Sequence, residues 1–326
     1  MRESHFIEEL IDILKKEDTV FIQPHNYPDH DGVASAFGLQ SLFKFFDIKS
    51  HLVYEGEIQR DSLKQMIDSL DIEIHHISEY NMNEQHKIVV VDGCKGNKNV
   101  TDLIGDEIAV IDHHLVKSPE DVPLSDIRPD YGACASIISS YYDLLNIDIP
   151  QKSATALIIG IVMDTALLTR GTSEQDVSSY SNLYSKADMR LVNSILRNFI
   201  QIKDLHFYKE AINNVQIKKE VAFCHFPNGC NQNLLGILGD FFLALQEIDF
   251  VILSANNGGL INFSLRNERD DWNAAAIIQE VLKGIGFGGG HADMAGGIIP
   301  DSRNFSEEKI KNLFYSSLFG LNTDNR

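Results

Sequence analysis

Four stretches of this chain end in side chains that bind cations or move protons. The first runs from Phe21 to Ser35, Phe-Ile-Gln-Pro-His-Asn-Tyr-Pro-Asp-His-Asp-Gly-Val-Ala-Ser, and sets His25, Asp29 and Asp31 in one loop with His30 between the carboxylates. Asp92 closes the apolar run Ile88-Val89-Val90-Val91, and Asp112, His113 and His114 close Ile108-Ala109-Val110-Ile111. Asp164 follows a fourth apolar stretch that ends at Met163. Imidazoles and carboxylates this crowded repel or desolvate poorly when buried alone, and a divalent cation is the simplest partner. Histidine and aspartate donors without thiolates favour Mn²⁺, Fe²⁺, Co²⁺ or Mg²⁺ over structural zinc. Counting Asp112, the carboxylates exceed what one ion needs. Two ions about 3.5–4 Å apart, bridged by a shared Asp and a hydroxide, use them well and suit in-line attack on phosphorus. The plainer alternative makes them ordinary loop residues, with Asp29 or Asp31 as a helix N-cap. Four such clusters in order, two containing histidine, weigh against coincidence.

Convergence requires the elements that carry these residues to share an edge. Thr19–Ile22, Ser50–Tyr54, Lys87–Val91 and Glu107–Ile111 read as short strands, and the last two are continuous and apolar. Helical patterns precede, separate or follow them, at 3–16, from Val33 to Phe46, at 60–69, 133–142 and 153–163. Strands alternating with helices imply βαβ units and a mostly parallel, doubly wound α/β sheet, whose loops at the carboxyl ends of the strands meet where ligands bind. Residues 174–213 read as mainly helical. A smaller α/β domain follows, with strands at 220–226, 248–255 and 259–265 and helices at 233–245, 272–283 and 306–317. A glycine-rich loop from Gly284 to Gly297 separates the last two helices. The expected division is a catalytic domain over 1–190, a helical connector over 191–214 and a substrate-binding domain over 215–326.

The 326 residues suffice for two domains, and 44% hydrophobic with 23% charged residues is ordinary for a globular protein. A formal net charge of −19 disfavours a broad grip on long DNA or RNA, which depends on Lys and Arg neutralising phosphates. It leaves room for a small anionic substrate, because metal ions and a few placed Arg or His residues invert the field inside a cleft. No apolar run approaches a membrane span and the amino terminus lacks the apolar core of a signal peptide. Cys94, Cys134, Cys224 and Cys230 form no Cys-x-x-Cys pair and read as buried, reduced thiols, so a cytoplasmic protein is expected.

The order His25-x-x-x-Asp29-x-Asp31, Asp92, Asp112-His113-His114, Asp164 resembles the DHH phosphoesterase superfamily. The run Gly288-Gly289-Gly290-His291 resembles the signature of the DHH-associated carboxyl-terminal domain, and the two-domain layout resembles the nanoRNase/pAp-phosphatase branch. The resemblance implies that His25, Asp29 and Asp92 hold one ion, and that Asp31, Asp92, His113 and Asp164 hold a second, with Asp92 bridging. It implies two divalent ions, Mn²⁺ foremost, with Asp112 fixing the tautomer of an imidazole. His114 would face the phosphate, orienting it or protonating the leaving oxygen. Two departures stand out: Ala34-Ser35 replaces the family's Gly-Ser, and the segment after Asp164 lacks the aromatic residue often found there. Arg170 in that segment is held as a phosphate contact.

On the substrate side, Gly288, Gly289 and Gly290 allow backbone N–H groups to approach an anion, and His291 adds a donor. Ser264 and Arg266 fall on one face of the strand Asn262–Arg266. Matched to the family's Ser-x-Arg strand, Arg266 is a candidate for bidentate binding of a terminal phosphate. The expected substrates are short RNA, linear dinucleotides such as pApA or pGpG, or 3′-phosphoadenosine 5′-phosphate, with no membrane partner. A homodimer is compatible with the sequence. The competing readings are an inorganic pyrophosphatase or exopolyphosphatase with the same metal motifs, a RecJ-like DNA exonuclease, and a non-catalytic nucleotide sensor.

Overall fold

The computed structural model describes residues 2–197 and 200–320. The chain divides into two compact units between residues 199 and 200. The first unit carries α1 (Arg2–Leu14), β1 (Val20–Gln23), α2 (His30–Lys44), β2 (Ser50–Tyr54), α3 (Asp61–Leu70), β3 (Ile74–His76), β4 (Lys87–Val91), β5 (Asp106–Asp112) and β6 (Leu124–Ile127). Four helices follow: α4 (Cys134–Leu144), α5 (Gln151–Asp164), α6 (Glu174–Tyr184) and α7 (Met189–Arg197). The helices and strands expected in this unit are all present, each displaced by no more than a few residues. The short strands β3 and β6 were not expected, because three and four residues give too little alternation to read.

The strands lie in the order β3-β2-β1-β4-β5-β6, with every pairing parallel. Connections run outward from β1 to β3 and then return to place β4 on the other side of β1. Strand order therefore reverses between β1 and β4, and the loops leaving them diverge around a crevice at the carboxyl edge. The strands are apolar on both faces, as a parallel sheet requires. Val20, Ile22, Leu52, Val89, Val91, Ala109 and Ile111 join the main core with the helices. Phe21, Val53, Ile88, Val90 and Val110 face a second cluster that is closed by the connecting segments, through Tyr80, Cys94, Val100 and Val122. Within the main core α2 and α5 approach closely. A Cβ on Gly38 would lie 2.9 Å from Leu157 Cδ2, and one on Gly160 would lie 3.0 Å from Asp31 Oδ1.

The second unit contains α8 (Leu205–Asn214), β7 (Gln216–Lys218), β8 (Val221–Phe226), α9 (Gln232–Leu243), β9 (Phe250–Asn257), β10 (Leu260–Asn267), α10 (Ala274–Val281), β11 (Phe287–Gly290), β12 (Met294–Ile299) and α11 (Glu307–Phe319). Its sheet runs β11-β12-β10-β9-β8-β7, antiparallel except between β8 and β9. Alternate residues split between two cores: Val221 and Phe223 pack with α10 and α11, whereas Ala222, Cys224 and Phe226 pack with α8 and α9. Helix α7 packs on α3 and α5, and α8 packs on β8, so the 191–214 stretch is shared between the two units.

The glycine-rich stretch corrects one expectation. Gly288–Gly290 is an edge strand paired with β12, not a loop. Its glycines make room for α10: a Cβ on Gly288 would fall 2.7 Å from Ile278 Cγ1, and one on Gly297 would fall 2.7 Å from Leu282 Cδ1. The four cysteines are free and buried. Among the described residues, no helix is long and apolar enough to cross a membrane.

Candidate metal centre

The loop after β1 enters α2 through Asp29, whose Oδ1 accepts from the Asp31 and Gly32 amides at 2.9 and 3.2 Å. The N-cap reading of Asp29 is thus realised together with its place in the polar cluster. His25 Nδ1 donates to the Asn26 carbonyl at 2.8 Å, which turns Nε2 towards Asp29 Oδ1 at 3.8 Å and Asp92 Oδ2 at 3.5 Å. Asn26 is itself clasped: its side chain donates to Thr101 Oγ1 at 2.9 Å and accepts from the Thr101 amide at 3.1 Å. This clasp joins the loop bearing His25 to the loop after Asp92.

Asp92 follows β4 in a left-handed conformation, φ 52°, which is uncommon for a residue with a Cβ. Its amide donates to the Ile111 carbonyl at 2.9 Å, and its carboxylate is aimed inward between two imidazoles. Oδ1 lies 3.4 Å from His113 Nε2, buried and without a hydrogen-bond partner among the described residues. His113 Nδ1 donates to the Tyr131 carbonyl at 3.2 Å, leaving Nε2 also 3.3 Å from Asp164 Oδ2 and 3.9 Å from Asp31 Oδ2. Asp31 is buried beneath the amino terminus of α4, where the Cys134 and Ala135 amides donate to its two oxygens at 2.7 and 2.9 Å. A carboxylate suits the positive end of a helix dipole.

Asp112 is fully buried. Its Oδ1 accepts from the His114 amide at 3.1 Å and from His114 Nδ1 at 2.8 Å, while Oδ2 has no partner among the described residues. The bond fixes the tautomer of His114, whose side chain is 46% exposed and so presents Nε2 outward. His30 is fully buried and belongs to none of the clusters below.

Among the described residues, three groups have ligand atoms close enough to share an ion: His25, Asp29 and Asp92; Asp31, His113 and Asp164; and Asp92, His113 and His114. Their ligand atoms lie within 4.8 Å of one another. Asp92 appears in two of the three, as a bridging carboxylate must. The ion pairs of Asp31, Asp92, Asp112 and Asp164 are all with histidines. Burial and the nearby Asp92 and Asp164 carboxylates hold the Asp31 pKa well above the usual carboxylate range. Burial with Asp92 and Asp29 pushes Asp164 up to about 6. Burial opposes charge on His25, but Asp29 and Asp92 override it and raise its pKa to about 10. Asp92, Asp31 and Asp164 do the same for His113, also to about 10. The clustered carboxylates thus favour positive charge among them. With the orphaned oxygens of Asp92 and Asp112, this donor set fits divalent cations.

In the second unit Ser264 is buried and Arg266 lies beside it, Nη1 donating to Ser264 Oγ at 3.2 Å. Arg266 Nε also donates to Asp240 Oδ1 at 2.6 Å, and the side chain crosses Gly236 and Gly239 of α9. Gly289 pairs with Gly296, which pairs with Ser264, so the three form one row across β11, β12 and β10. Nothing lies within 4 Å of the Cβ position of Gly289, whereas Gly290 has φ +141° and no room for a Cβ against the Met294 carbonyl. His291 is exposed and bonds to that carbonyl through its amide at 2.7 Å. Arg170 is exposed on the segment after Asp164, outside the three groups. There Ala166, Leu167 and Leu168 have φ of 46°, 63° and 61°.

Sequence reasoning missed Asn26, Thr101, the amides of Cys134 and Ala135, Asp176 and Asp240. The uncapped start of α4 at Ala133 is a signal for the amides, because such a helix takes its acceptor from elsewhere.

Two family models match the chain: the DHH family, N-terminal domain, over residues 19–161, and the DHHA1 domain over residues 217–314. The uncharacterized protein MJ1633 of Methanocaldococcus jannaschii is 29% identical over 88% of this chain, which spans only 59% of that protein's length. The bifunctional oligoribonuclease and PAP phosphatase NrnA of Mycoplasma genitalium is 26% identical, with 95% of this chain and 98% of the relative covered. A probable manganese-dependent inorganic pyrophosphatase of Streptococcus thermophilus is 25% identical over 47% of this chain and 50% of its own. The same fold occurs in the crystal structure of an exopolyphosphatase-related protein from Bacteroides fragilis, with a TM-score of 0.79 and 19% identity over 97% of this chain and 98% of that one. With both domain models matched in sequence, the chain belongs to the DHH family and carries its N-terminal domain followed by a DHHA1 domain.

Proposed function

We propose that this phosphoester hydrolase acts on very short nucleotides in the cytoplasm: nanoRNA and linear dinucleotides such as pApA or pGpG, the 3′-phosphate of 3′-phosphoadenosine 5′-phosphate, or both. The observation that carries the reading is Asp92, a buried carboxylate shared by two ligand groups with Oδ1 unpartnered. His25, Asp29 and Asp92 would hold one divalent ion, Mn²⁺ foremost, and Asp31, Asp92, His113 and Asp164 the other. Such a pair, once bound, acidifies water and neutralises charge for in-line attack at phosphorus. The remaining work falls to the protein. Asp112 holds His114 by Nδ1 and raises its pKa, against the opposing pull of burial, so that Nε2 keeps a proton to orient the phosphate or pass to the leaving oxygen. Arg266 and Ser264, with the Gly289–Gly290–His291 segment, would take the far phosphate of the nucleotide, and Arg170 is a further phosphate contact in this scheme.

Near end-to-end similarity to an oligoribonuclease and PAP phosphatase supports the nucleotide reading. The pyrophosphatase similarity stops at about half of the chain. The test is turnover with Mn²⁺ of pApA, pGpG, a longer RNA, 3′-phosphoadenosine 5′-phosphate, cyclic dinucleotides and pyrophosphate. Release of mononucleotides from the linear dinucleotides, or of phosphate from 3′-phosphoadenosine 5′-phosphate, is expected. Exclusive cleavage of pyrophosphate would overturn the nucleotide reading and leave the metal site intact.

A further inference from the structure

The carboxylate of Asp176 on α6 is fully buried, yet every bond it makes goes to a neutral donor. Its Oδ2 accepts from the Gly132 amide at 2.7 Å, the Ser173 amide at 2.8 Å and Ser173 Oγ at 2.6 Å. Its Oδ1 accepts from Ser136 Oγ at 2.5 Å. Ser173 and Asp176 form a capping box at the start of α6, which accounts for the bond from the Ser173 amide, and the Ser173 Oγ bond joins the same two residues. The bonds to Gly132 and Ser136 reach 44 and 40 residues back along the chain, and a helix cap does not need them.

What they hold is the amino terminus of α4. Tyr131, one residue before Gly132, supplies the carbonyl that orients His113. Cys134 and Ala135, between Gly132 and Ser136, supply the amides that orient Asp31. Ser173, on the other side of Asp176, ends the loop that begins at Asp164. The loop also touches the junction directly, since a Cβ on Gly132 would meet the Gly171 carbonyl at 2.6 Å and Thr165 Cγ2 at 2.8 Å. Asp31, His113 and Asp164 are the members of one ligand group. The His25 and Asp29 side of the centre is held by other contacts, through Asn26, Thr101 and the start of α2.

We propose that Asp176 is the positioning residue for the Asp31–His113–Asp164 site, tying its three ligand carriers together so that Asp176 governs the affinity of that ion and not of its neighbour. The inference rests on the two-ion reading above. It is tested by Mn²⁺ titration of the metal-free full chain, followed by calorimetry and by the electron paramagnetic resonance signal of coupled Mn²⁺ pairs. His25→Ala and His113→Ala serve as references for loss of each site. Asp176→Ala is expected to copy the His113→Ala pattern, weakening one ion by about tenfold to a hundredfold and leaving the other within about threefold. Asp176→Asn can keep the geometry, its carbonyl accepting from Gly132 and Ser173 and its amide donating to Ser136 Oγ, and is expected to restore both sites. Equal weakening of both ions, or of neither, overturns the proposal, as does failure of the Asn variant to rescue. If Asp176→Ala does not fold, Ser136→Ala removes one of the two links to the amino terminus of α4 and must show the same selectivity. A wild-type chain that binds fewer than two ions would instead overturn the two-ion reading itself.

Discussion

Stripping divalent cations with a chelator and restoring Mn²⁺ at a series of pH values should show the ions competing with protons. Carboxylates raise the pKa of His25 and of His113 to about 10 against the effect of burial, so both imidazoles are charged at neutral pH in the metal-free protein. A ligand imidazole must be neutral, and these two stand in different ligand groups, so each ion displaces at least one proton. A raised pKa means that binding releases the proton, so affinity rises with pH. Between about pH 7 and 9 each apparent association constant should climb about tenfold per pH unit, or about 1.4 kcal/mol, and about a hundredfold across the range. The ion at Asp31 should climb more steeply, because burial and its neighbours also hold that carboxyl well above its ordinary range. Asp164, at about 6, contributes only in the more acidic part of a titration. Calorimetry at pH 7.5 in buffers of low and high ionisation enthalpy counts the protons directly, and about two or more in total are expected. Affinity independent of pH, with no buffer dependence of the heat, would refute the assignment of charged imidazoles.

Asp92→Ala should abolish turnover and weaken both ions in the same Mn²⁺ titration; a variant with normal activity would remove Asp92 from the bridging role. Arg266→Ala should raise KM for a phosphorylated dinucleotide by about tenfold to a hundredfold, with kcat changed little, as expected for a lost charged hydrogen bond of about 1.5–3 kcal/mol. An unchanged KM would take Arg266 out of the substrate site. In Gly160→Ala the new methyl lies 3.0 Å from Asp31 Oδ1 and 3.1 Å from Ala34 Cβ and Ala135 Cβ. Overpacking of about 1–3 kcal/mol should outweigh the gain of about 1 kcal/mol in helix propensity, so urea denaturation should show net destabilisation. A more stable variant would show that α2 and α5 have slack at Asp31.

The gathering of these carboxylates and imidazoles into one candidate centre was largely legible in the sequence, because each cluster directly follows an apolar element and a parallel sheet presents such ends along one edge. Its supports were not legible. Asp31 meets its α4 amides across 103 and 104 residues, and Asp176 meets Ser136 across 40, separations that carry no local pattern. The glycine run misled for a different reason. Glycine density signals turns when read locally, whereas Gly288 and Gly297 serve the close approach of Ile278 and Leu282. Arg266 became a candidate through its strand position beside the glycine run and the resemblance to the family's Ser-x-Arg strand, but its bond to Asp240, 26 residues away, appears only in the folded chain. The N-cap and ligand readings of Asp29 looked like alternatives in the sequence and proved compatible, because capping occupies Oδ1 and leaves Oδ2 for other use.

The reversal of strand order also bears on how the protein matures. Val20 pairs with Ser50 on one side and with Lys87 on the other, and the centre is closed by Asp164 on a helix that is made later still. Long-range parallel pairing is slow, because the chain loses loop entropy before it gains contacts. An emerging polypeptide therefore holds His25, Asp29 and Asp31 long before it can confine an ion among all its ligands. On the two-ion reading proposed above, capture of the ions would be a late clamp on an already docked sheet and helix pair, and chains truncated before α5 would lack Asp164.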